Sequence, residues 1–232
     1  MREPTPSMGR VLHRAKKIAR QVLPGHILRY QKTRSIMQRL ADGIGLVYFG
    51  HVDLRDDEFR LVRGVTVSTT HADNHYTVGT FHGYDVSLVV RRDSLKYTDK
   101  RLKEHCWTIL TVDLHSSVDI PHIYVARHTA RDEMVARLMH LVALPHAGDA
   151  FSKDYTIYGS MGQFIMIQSI FMQPVREVIA HEFTETSIEI VDGTVYLYLI
   201  EKHPSRAQLE RLLRNGIWLA QTVDATLYSP NE

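Results

Sequence analysis

The sequence lacks the residues and motifs on which several large protein classes depend. Its 232 residues include a single cysteine, Cys106, so an intrachain disulfide framework is excluded. A zinc site built from four cysteines, or from two cysteines and two histidines, is excluded for the same reason. No apolar run reaches the roughly 18 residues that span a bilayer. Neither G-x-G-x-x-G nor G-x-x-x-x-G-K-[ST] occurs, so the usual phosphate cradles of nucleotide-binding proteins are absent.

Acidic residues are almost absent from the first 40 positions. This stretch contains ten Lys/Arg and one acid, Glu3, which leaves 18 bases and 25 acids for the other 192 residues. The formal net charge of +2 therefore hides a basic N-terminal arm on a mildly acidic body. Such an asymmetry indicates an anionic partner, either a membrane surface or a nucleic acid, or an arm that lies on the acidic surface of its own body.

The arm has the pattern of an amphipathic helix over residues 10–23. Its apolar residues recur at three- and four-residue spacing, cations fill the other face, and Pro24-Gly25 ends the pattern. In a lipid interface such cations face the headgroups and the aliphatic side chains face the acyl chains. The residues predicted to contact a membrane or another anionic partner are Arg10, Arg14, Lys16, Lys17, Arg20, Leu12, Ile18 and Leu23. Packing of the same aliphatic stripe on the body of the protein is the competing interpretation.

We divide the chain into this helical arm, residues 1–42, and a single α+β domain, residues 43–232. Sequential hairpins favour a mostly antiparallel sheet with helices packed on one face, preceded by the basic amphipathic helix. The predicted strands are residues 43–50, 59–70, 76–91 with a division at Gly83, 105–114, 120–126, 155–158, 187–191 and 194–200. The predicted helices are residues 131–141, 174–181 and 205–223, and the predicted turns or loops include residues 71–74, 92–104 and 144–149.

Two local signals specify element ends. Asp192-Gly193 stands between two runs rich in β-formers, and this dipeptide favours the turn with positive φ that matches the twist of a hairpin. Ser205 and Gln208 have the spacing of a capping box and predict the start of the last helix.

From residue 107 onward the order of motifs resembles a family of bacterial proteins known only as a domain of unknown function. The resemblance covers residues 107–223. Its motifs are Ile120-Pro121-His122-Ile123, FSKDYTIY at 151–158, IFMQP at 170–174, IEIVD at 188–192, VYLY at 195–198 and LERLL at 209–213. Many members of that family are anchored by N-terminal transmembrane helices, where this chain has a basic amphipathic segment. The resemblance implies a shared fold and supplies no catalytic residue.

The 14 histidines raise the question of a metal-dependent enzyme. His71, Asp73 and His75 occupy alternate positions, so an extended chain would point all three to one side, and two imidazoles with a carboxylate can bind zinc or ferrous iron. A turn in this segment would scatter them. A second candidate is a histidine-rich cleft formed by His122, Tyr124 and His128 on one strand, with His115 close in sequence, for which edge-strand histidines with local hydrogen bonds are the alternative. Cys106 is expected to be a buried, inert thiol, and the acidic residues 56–58 a solvated loop.

The sequence therefore predicts a binding or scaffold module without catalytic residues and without a cofactor. Its expected partner is an anionic membrane surface or a membrane protein, and its expected location is the cytoplasm, in association with the membrane. The alternatives are a metal-dependent enzyme with a histidine-rich cleft, and nucleic-acid binding through the arm. The oligomeric state cannot be inferred from these patterns.

Overall fold

The computed structural model describes residues 25–51, 64, 71–96, 102–145 and 148–228. Within them the strands are β1 Val47–His51, β2 Ala72–Phe81, β3 Tyr84–Lys96, β4 Leu102–Asp113, β5 Ile123–Arg127, β6 Val142–Ala143, β7 Tyr155–Gly159, β8 Thr186–Val191 and β9 Thr194–Leu199. The α-helices are α1 Gly25–Ile44, α2 Ala130–Leu138, α3 Phe164–Ile170, α4 Gln173–Glu182 and α5 Arg206–Tyr228. The predicted helix over residues 10–23 lies outside the described residues, and so does the predicted strand over residues 59–70 apart from Gly64.

In the described part of the chain, the nine strands form one sheet in which every pairing is antiparallel. The order of strands is β1-β2-β3-β4-β9-β8-β5-β7-β6. The predicted α+β class with an antiparallel sheet is therefore confirmed, and α1 precedes the sheet as a helix that carries basic residues. The division of the chain at residue 42 stays a prediction.

The two faces of the sheet bury different side chains because residues alternate along each strand. Ile123 and Val125 point to the main face, which α1, α3, α4 and α5 cover to form the larger core. Tyr124 and Ala126 point to the opposite face, where they pack with Trp107 and with the helix α2. The helix α1 belongs to the core as well, because it buries Met37, Leu40 and Ala41 against the main face.

The two predicted signals for element ends are confirmed. Asp192 and Gly193 have φ values of 50° and 69°, as the turn between β8 and β9 requires. Ser205 and Gln208 form the capping box at the start of α5, where the Gln208 backbone N–H donates to Ser205 Oγ (3.2 Å) and the Ser205 N–H donates to Gln208 Oε1 (2.9 Å).

Several predicted boundaries are wrong. Residues 71–74 are not a turn, since β2 begins at Ala72, and residues 92–104 are not wholly a loop, since β3 continues to Lys96 and β4 begins at Leu102. Their charged side chains are paired across strands, as in the Arg92–Glu104 ion pair (2.7 Å), so polarity does not end the ladder here.

The first and fifth strands also begin later than predicted. Residues 43 and 44 still belong to α1, which ends at Gly45 (φ 79°), and the Leu46 N–H donates to the Ala41 carbonyl (3.0 Å) as in a Schellman cap. The fifth strand begins at Ile123 rather than at residue 120. Pro121 therefore precedes β5, which lies between β8 and β7 in the interior of the sheet.

Gly216 allows α5 to lie close to the sheet. A Cβ atom at this position would lie 2.6 Å from Leu110 Cδ2 and 3.1 Å from Val112 Cγ2. We expect Gly216→Ala to lower the free energy of unfolding by about 1 kcal/mol, since overpacking outweighs the gain in helix propensity. Gly43→Ala in α1 is the control, because a Cβ there meets nothing within 4 Å and the same change is expected to stabilise. Urea denaturation of the two variants tests this difference of sign, and equal effects would contradict it.

Candidate functional site

The helix α1 carries a group of four cations that we call the α1 cations. They are Arg29, Lys32, Arg34 and Arg39, and all four side chains are exposed. None of them makes an ion pair with an acidic residue in the part of the chain that the structure describes, whereas Arg39 Nε donates to the Ser35 carbonyl (3.0 Å). A helix with exposed cations that no described acid pairs is suited to bind an anionic surface.

The buried side of α1 holds these cations in place. Besides its apolar residues, Thr33 is buried, and its hydroxyl lies 2.8 Å from His203 Nδ1 and donates to the Arg29 carbonyl (3.1 Å). His203 follows β9 in the sequence, so this contact connects α1 to the segment that comes directly after a central strand of the sheet. Because the helix is packed on the sheet, the α1 cations keep a constant spacing.

An apolar groove lies where α1, α5 and the turn between β2 and β3 meet. Its volume is about 410 Å³, which falls within the range of small-molecule sites. We call it the α1–α5 groove. Its lining residues are Leu40, Ile44, Phe81, His82, Glu210, Leu213, Arg214, Ile217, Trp218 and Gln221. The groove therefore combines apolar walls with a few polar side chains at the rim.

Exposed apolar side chains continue beyond the groove on the same layer of helices. A second, shallower cavity of about 590 Å³ shares Trp218 and Gln221 with it and reaches Met172. Met172 is 50% exposed, and Ile165 in α3 is 84% exposed. Exposed apolar side chains next to an apolar cavity, as at Met172, are typical of surfaces that contact a membrane or another protein.

The three predicted metal ligands do not come together. Asp73 is buried and paired with Arg91, and His71 Nε2 lies 3.9 Å from Asp73 Oδ2. His75 occupies an irregularity of the β2–β3 ladder with a φ of 59°, and this backbone turns its ring to Tyr48, whose hydroxyl lies 2.8 Å from His75 Nδ1. Among the described residues, no group of three or more potential ligands is placed to hold a metal ion.

The environment of His75 keeps its ring neutral. Burial lowers the pKa of His75 to about 4, and the positive charges of His203 and Arg34 contribute to the same shift. Burial also lowers the pKa of His203. The contact region between α1 and the sheet therefore contains two histidines, His75 and His203, whose rings take up a proton only at a lower pH than usual.

The histidines proposed for a cleft are dispersed. His122 Nε2 lies 2.7 Å from Glu189 Oε1, while the ring of His128 contacts Thr156 Oγ1 (2.9 Å) and the Lys153 carbonyl (3.0 Å). Each of the two rings therefore has its own local partners, as the alternative interpretation predicted. The acidic residues 56–58 lie outside the described part of the chain.

Cys106 is half-buried in β4, less enclosed than predicted. Burial and the neighbouring Glu104 raise the pKa of its thiol. A raised pKa keeps the sulfur protonated at neutral pH, so the thiol is a poor nucleophile.

Sequence reasoning missed the buried polar groups on the opposite face. Arg91 Nε donates to Asp73 Oδ1 (2.8 Å) and Arg91 Nη2 donates to Asp73 Oδ2 (2.7 Å). Asp132 accepts hydrogen bonds from the hydroxyls of Tyr124 (2.9 Å) and Ser187 (2.9 Å). The alternation of Val89, Arg91 and Asp93 along β3 is the signal that places these charges on one face.

Within the described residues, no helix combines the length and the apolar composition that crossing a bilayer requires. No protein-family model matches the sequence, and no curated protein matches it. The resemblance of residues 107–223 to a domain of unknown function therefore stays a prediction.

A solved structure shares the fold. It is the crystal structure of the mycobacterial trehalose monomycolate transport factor A, TtfA, with a TM-score of 0.55 and 10% sequence identity. The match covers 84% of this chain and 94% of that chain. At this identity the likeness establishes a common arrangement of helices and strands and no common activity.

Proposed function

We propose that the protein is a non-catalytic binding or scaffold module that docks on anionic membrane surfaces. The α1 cations are the observation that carries the proposal, because they are exposed, free of ion pairs with described acidic residues, and fixed on a packed helix. They follow directly on the basic segment 10–23 in the sequence, which brings further cations and no acid to the same end of the chain.

Docking would combine two forces. Each cation near an anionic leaflet contributes about 1 kcal/mol, and this attraction weakens as salt screens it. Leu12, Ile18 and Leu23 of the basic segment would add insertion of aliphatic side chains into the interface. Exposed apolar residues of the helical layer, such as Ile165, are available to extend the contact.

The shared fold supports a setting at the membrane. The neighbour TtfA is named as a transport factor for trehalose monomycolate, and its fold covers most of this chain. We propose by analogy that a membrane protein involved in transport is a partner of the docked module, with the α1 cations and the basic segment holding it at the surface.

Co-sedimentation with vesicles tests the docking. We expect the full chain to bind vesicles that contain phosphatidylserine, to bind neutral phosphatidylcholine vesicles far less, and to lose binding as salt rises. The double variant Lys32→Gln/Arg39→Gln removes about 2 kcal/mol of attraction and should weaken binding about 30-fold. The variant Arg14→Gln/Lys17→Gln makes the same change of charge in the basic segment and should have a similar effect.

The matched control is Arg137→Gln/Lys153→Gln, which removes two exposed cations away from α1. It is expected to change vesicle binding less than threefold. If all three double variants lose vesicle binding equally, net charge alone explains the binding, and the proposed surface is contradicted. Binding that is insensitive to salt, or tight binding to RNA or DNA without lipid, would also reject the proposal.

A further inference from the structure

The walls of the α1–α5 groove are apolar and firmly placed. Leu213 and Ile217 are buried side chains of α5 that form its floor together with Leu40 of α1. Trp218 is half-buried and packs edge-on against Phe183, with ring centroids 5.8 Å apart. An apolar chain in this groove would displace water from surfaces that the fold already holds in position, so little ordering is needed on binding.

The polar rim of the groove carries one arginine, Arg214, and one glutamate, Glu210. Arg214 is exposed and makes no ion pair with an acid among the described residues. The carboxylate of Glu210 is already engaged, since Arg206 Nε donates to its Oε1 (2.6 Å). His82 lines the other side of the groove and packs edge-on against Phe81 (4.4 Å). The rim therefore offers one guanidinium to an anionic group.

We propose that the α1–α5 groove binds a long-chain fatty acid, with its hydrocarbon chain along Leu213, Ile217 and Trp218 and its carboxylate on Arg214. A guanidinium matches a carboxylate in a bidentate geometry, and the volume of about 410 Å³ suits a single chain. This site functions whether or not the protein docks on a membrane, so the inference is independent of the proposed function.

Charge distinguishes this ligand from the basic segment 10–23 as an occupant of the groove. The segment has an aliphatic stripe that matches the apolar walls, but it would bring several cations beside Arg214. Cations of the segment would be repelled by the guanidinium of Arg214, whereas a carboxylate is attracted to it. A fatty acid therefore matches the apolar walls with its hydrocarbon chain and the guanidinium at the rim with its carboxylate.

Fluorescence of Trp218 reports binding in the full chain. Trp107, the second tryptophan, is buried on the opposite face of the sheet and serves as a constant background. Titration with octanoate, decanoate, dodecanoate and tetradecanoate below their micelle concentrations should give a saturable change with one site. Affinity should rise about three- to fourfold for each added methylene until the groove is filled. Trp218→Phe should remove the signal.

Matched variants separate the carboxylate contact from apolar binding. Arg214→Gln should weaken dodecanoate about tenfold and leave dodecanol unchanged, because the alcohol does not use the guanidinium charge. Arg211→Gln, three residues earlier on α5 and outside the groove, should bind dodecanoate like the parent.

Three results would overturn the proposal. The first is the absence of a saturable signal at every chain length. The second is equal binding of dodecanoate by the parent and by Arg214→Gln. The third is binding that requires the substitutions Leu12→Gln and Ile18→Gln, which would show that the basic segment occupies the groove in the free protein.

Discussion

Replacement of Arg91 by methionine is expected to lower the free energy of unfolding by about 3–5 kcal/mol. The side chain is 1% exposed, and it forms two hydrogen bonds with the carboxylate of Asp73, which is itself buried. Methionine fills a similar volume but leaves the carboxylate without its counterion. The large cost comes from the uncompensated charge that remains in the interior, and urea denaturation at neutral pH measures it.

The neighbouring residue provides a matched control on the same strand. Arg92 is paired with Glu104 at 2.7 Å, but both side chains are about half exposed. Water stabilises the partner of an exposed pair, so Arg92→Met is expected to cost less than about 1 kcal/mol. The difference in stability between Arg91→Met and Arg92→Met therefore measures the effect of burial, because residue type, strand and substitution are the same.

The double variant Arg91→Met/Asp73→Leu completes the cycle. Removal of both charges also removes the stranded carboxylate of Asp73, so this protein should recover most of the stability that the single variant loses. A double variant as unstable as the sum of the two single variants would show that residues 73 and 91 are not coupled, and would contradict the argument that the stranded carboxylate causes the loss. A loss below 1 kcal/mol for Arg91→Met would contradict the burial argument directly.

The elements that sequence reasoning located are those with local signals. The hairpin around Asp192-Gly193 depends on the backbone freedom of two adjacent residues, and the start of α5 depends on a hydrogen-bond exchange between Ser205 and Gln208. Both signals lie within a few residues of the structure they specify. They can therefore be read without knowing what packs around them.

Residues 92–104 show where such reasoning fails. Charge in this stretch indicated a loop, yet the strands β3 and β4 continue through it because Arg92 and Glu104 pair across them. The partner of each charge lies on a different strand, so the stabilising contact is invisible in a local window. Polarity alone does not end a strand when its neighbour supplies the opposite charge.

The candidate site depended even more on contacts between distant parts of the chain. The α1–α5 groove joins Ile44, Phe81 and Ile217, which no local pattern connects. The candidate metal ligands His71, Asp73 and His75 have different partners for a related reason, since the ladder is irregular at His75 and its ring contacts Tyr48. Alternate positions share a face only while the register of a strand is unbroken.

The ring of His75 is also expected to make the stability of the protein depend strongly on pH. Tyr30 and Arg34 from α1, Tyr48 from β1 and His203 after β9 surround His75, and its pKa falls from an ordinary 6.5 to about 4. Between these pH values the unfolded chain binds a proton that the folded protein does not. The free energy of unfolding therefore falls as pH drops from 6.5 to 4, by about 3 kcal/mol from this residue.

His75→Asn should remove this contribution. Asparagine tolerates the left-handed backbone at this position and carries no titrating group, so the variant is expected to be less stable than the parent at pH 7 because it loses the ring contacts with Tyr48 and Tyr30. Between pH 7 and pH 4, however, its free energy of unfolding should fall by about 3 kcal/mol less than that of the parent. Urea denaturation of the parent and of His75→Asn at pH 7, 5.5 and 4 measures how the free energy of unfolding of each protein changes with pH.

His82→Asn is the control for the substitution itself, because His82 has the same left-handed backbone (φ 50°) and an exposed ring. It should follow the pH dependence of the parent. If His75→Asn instead runs parallel to the parent across the acid range, then His75 exchanges no proton on unfolding. The contact region between α1 and the sheet would then owe its acid sensitivity to other groups, of which His203 is the nearest, since burial lowers its pKa in the same direction.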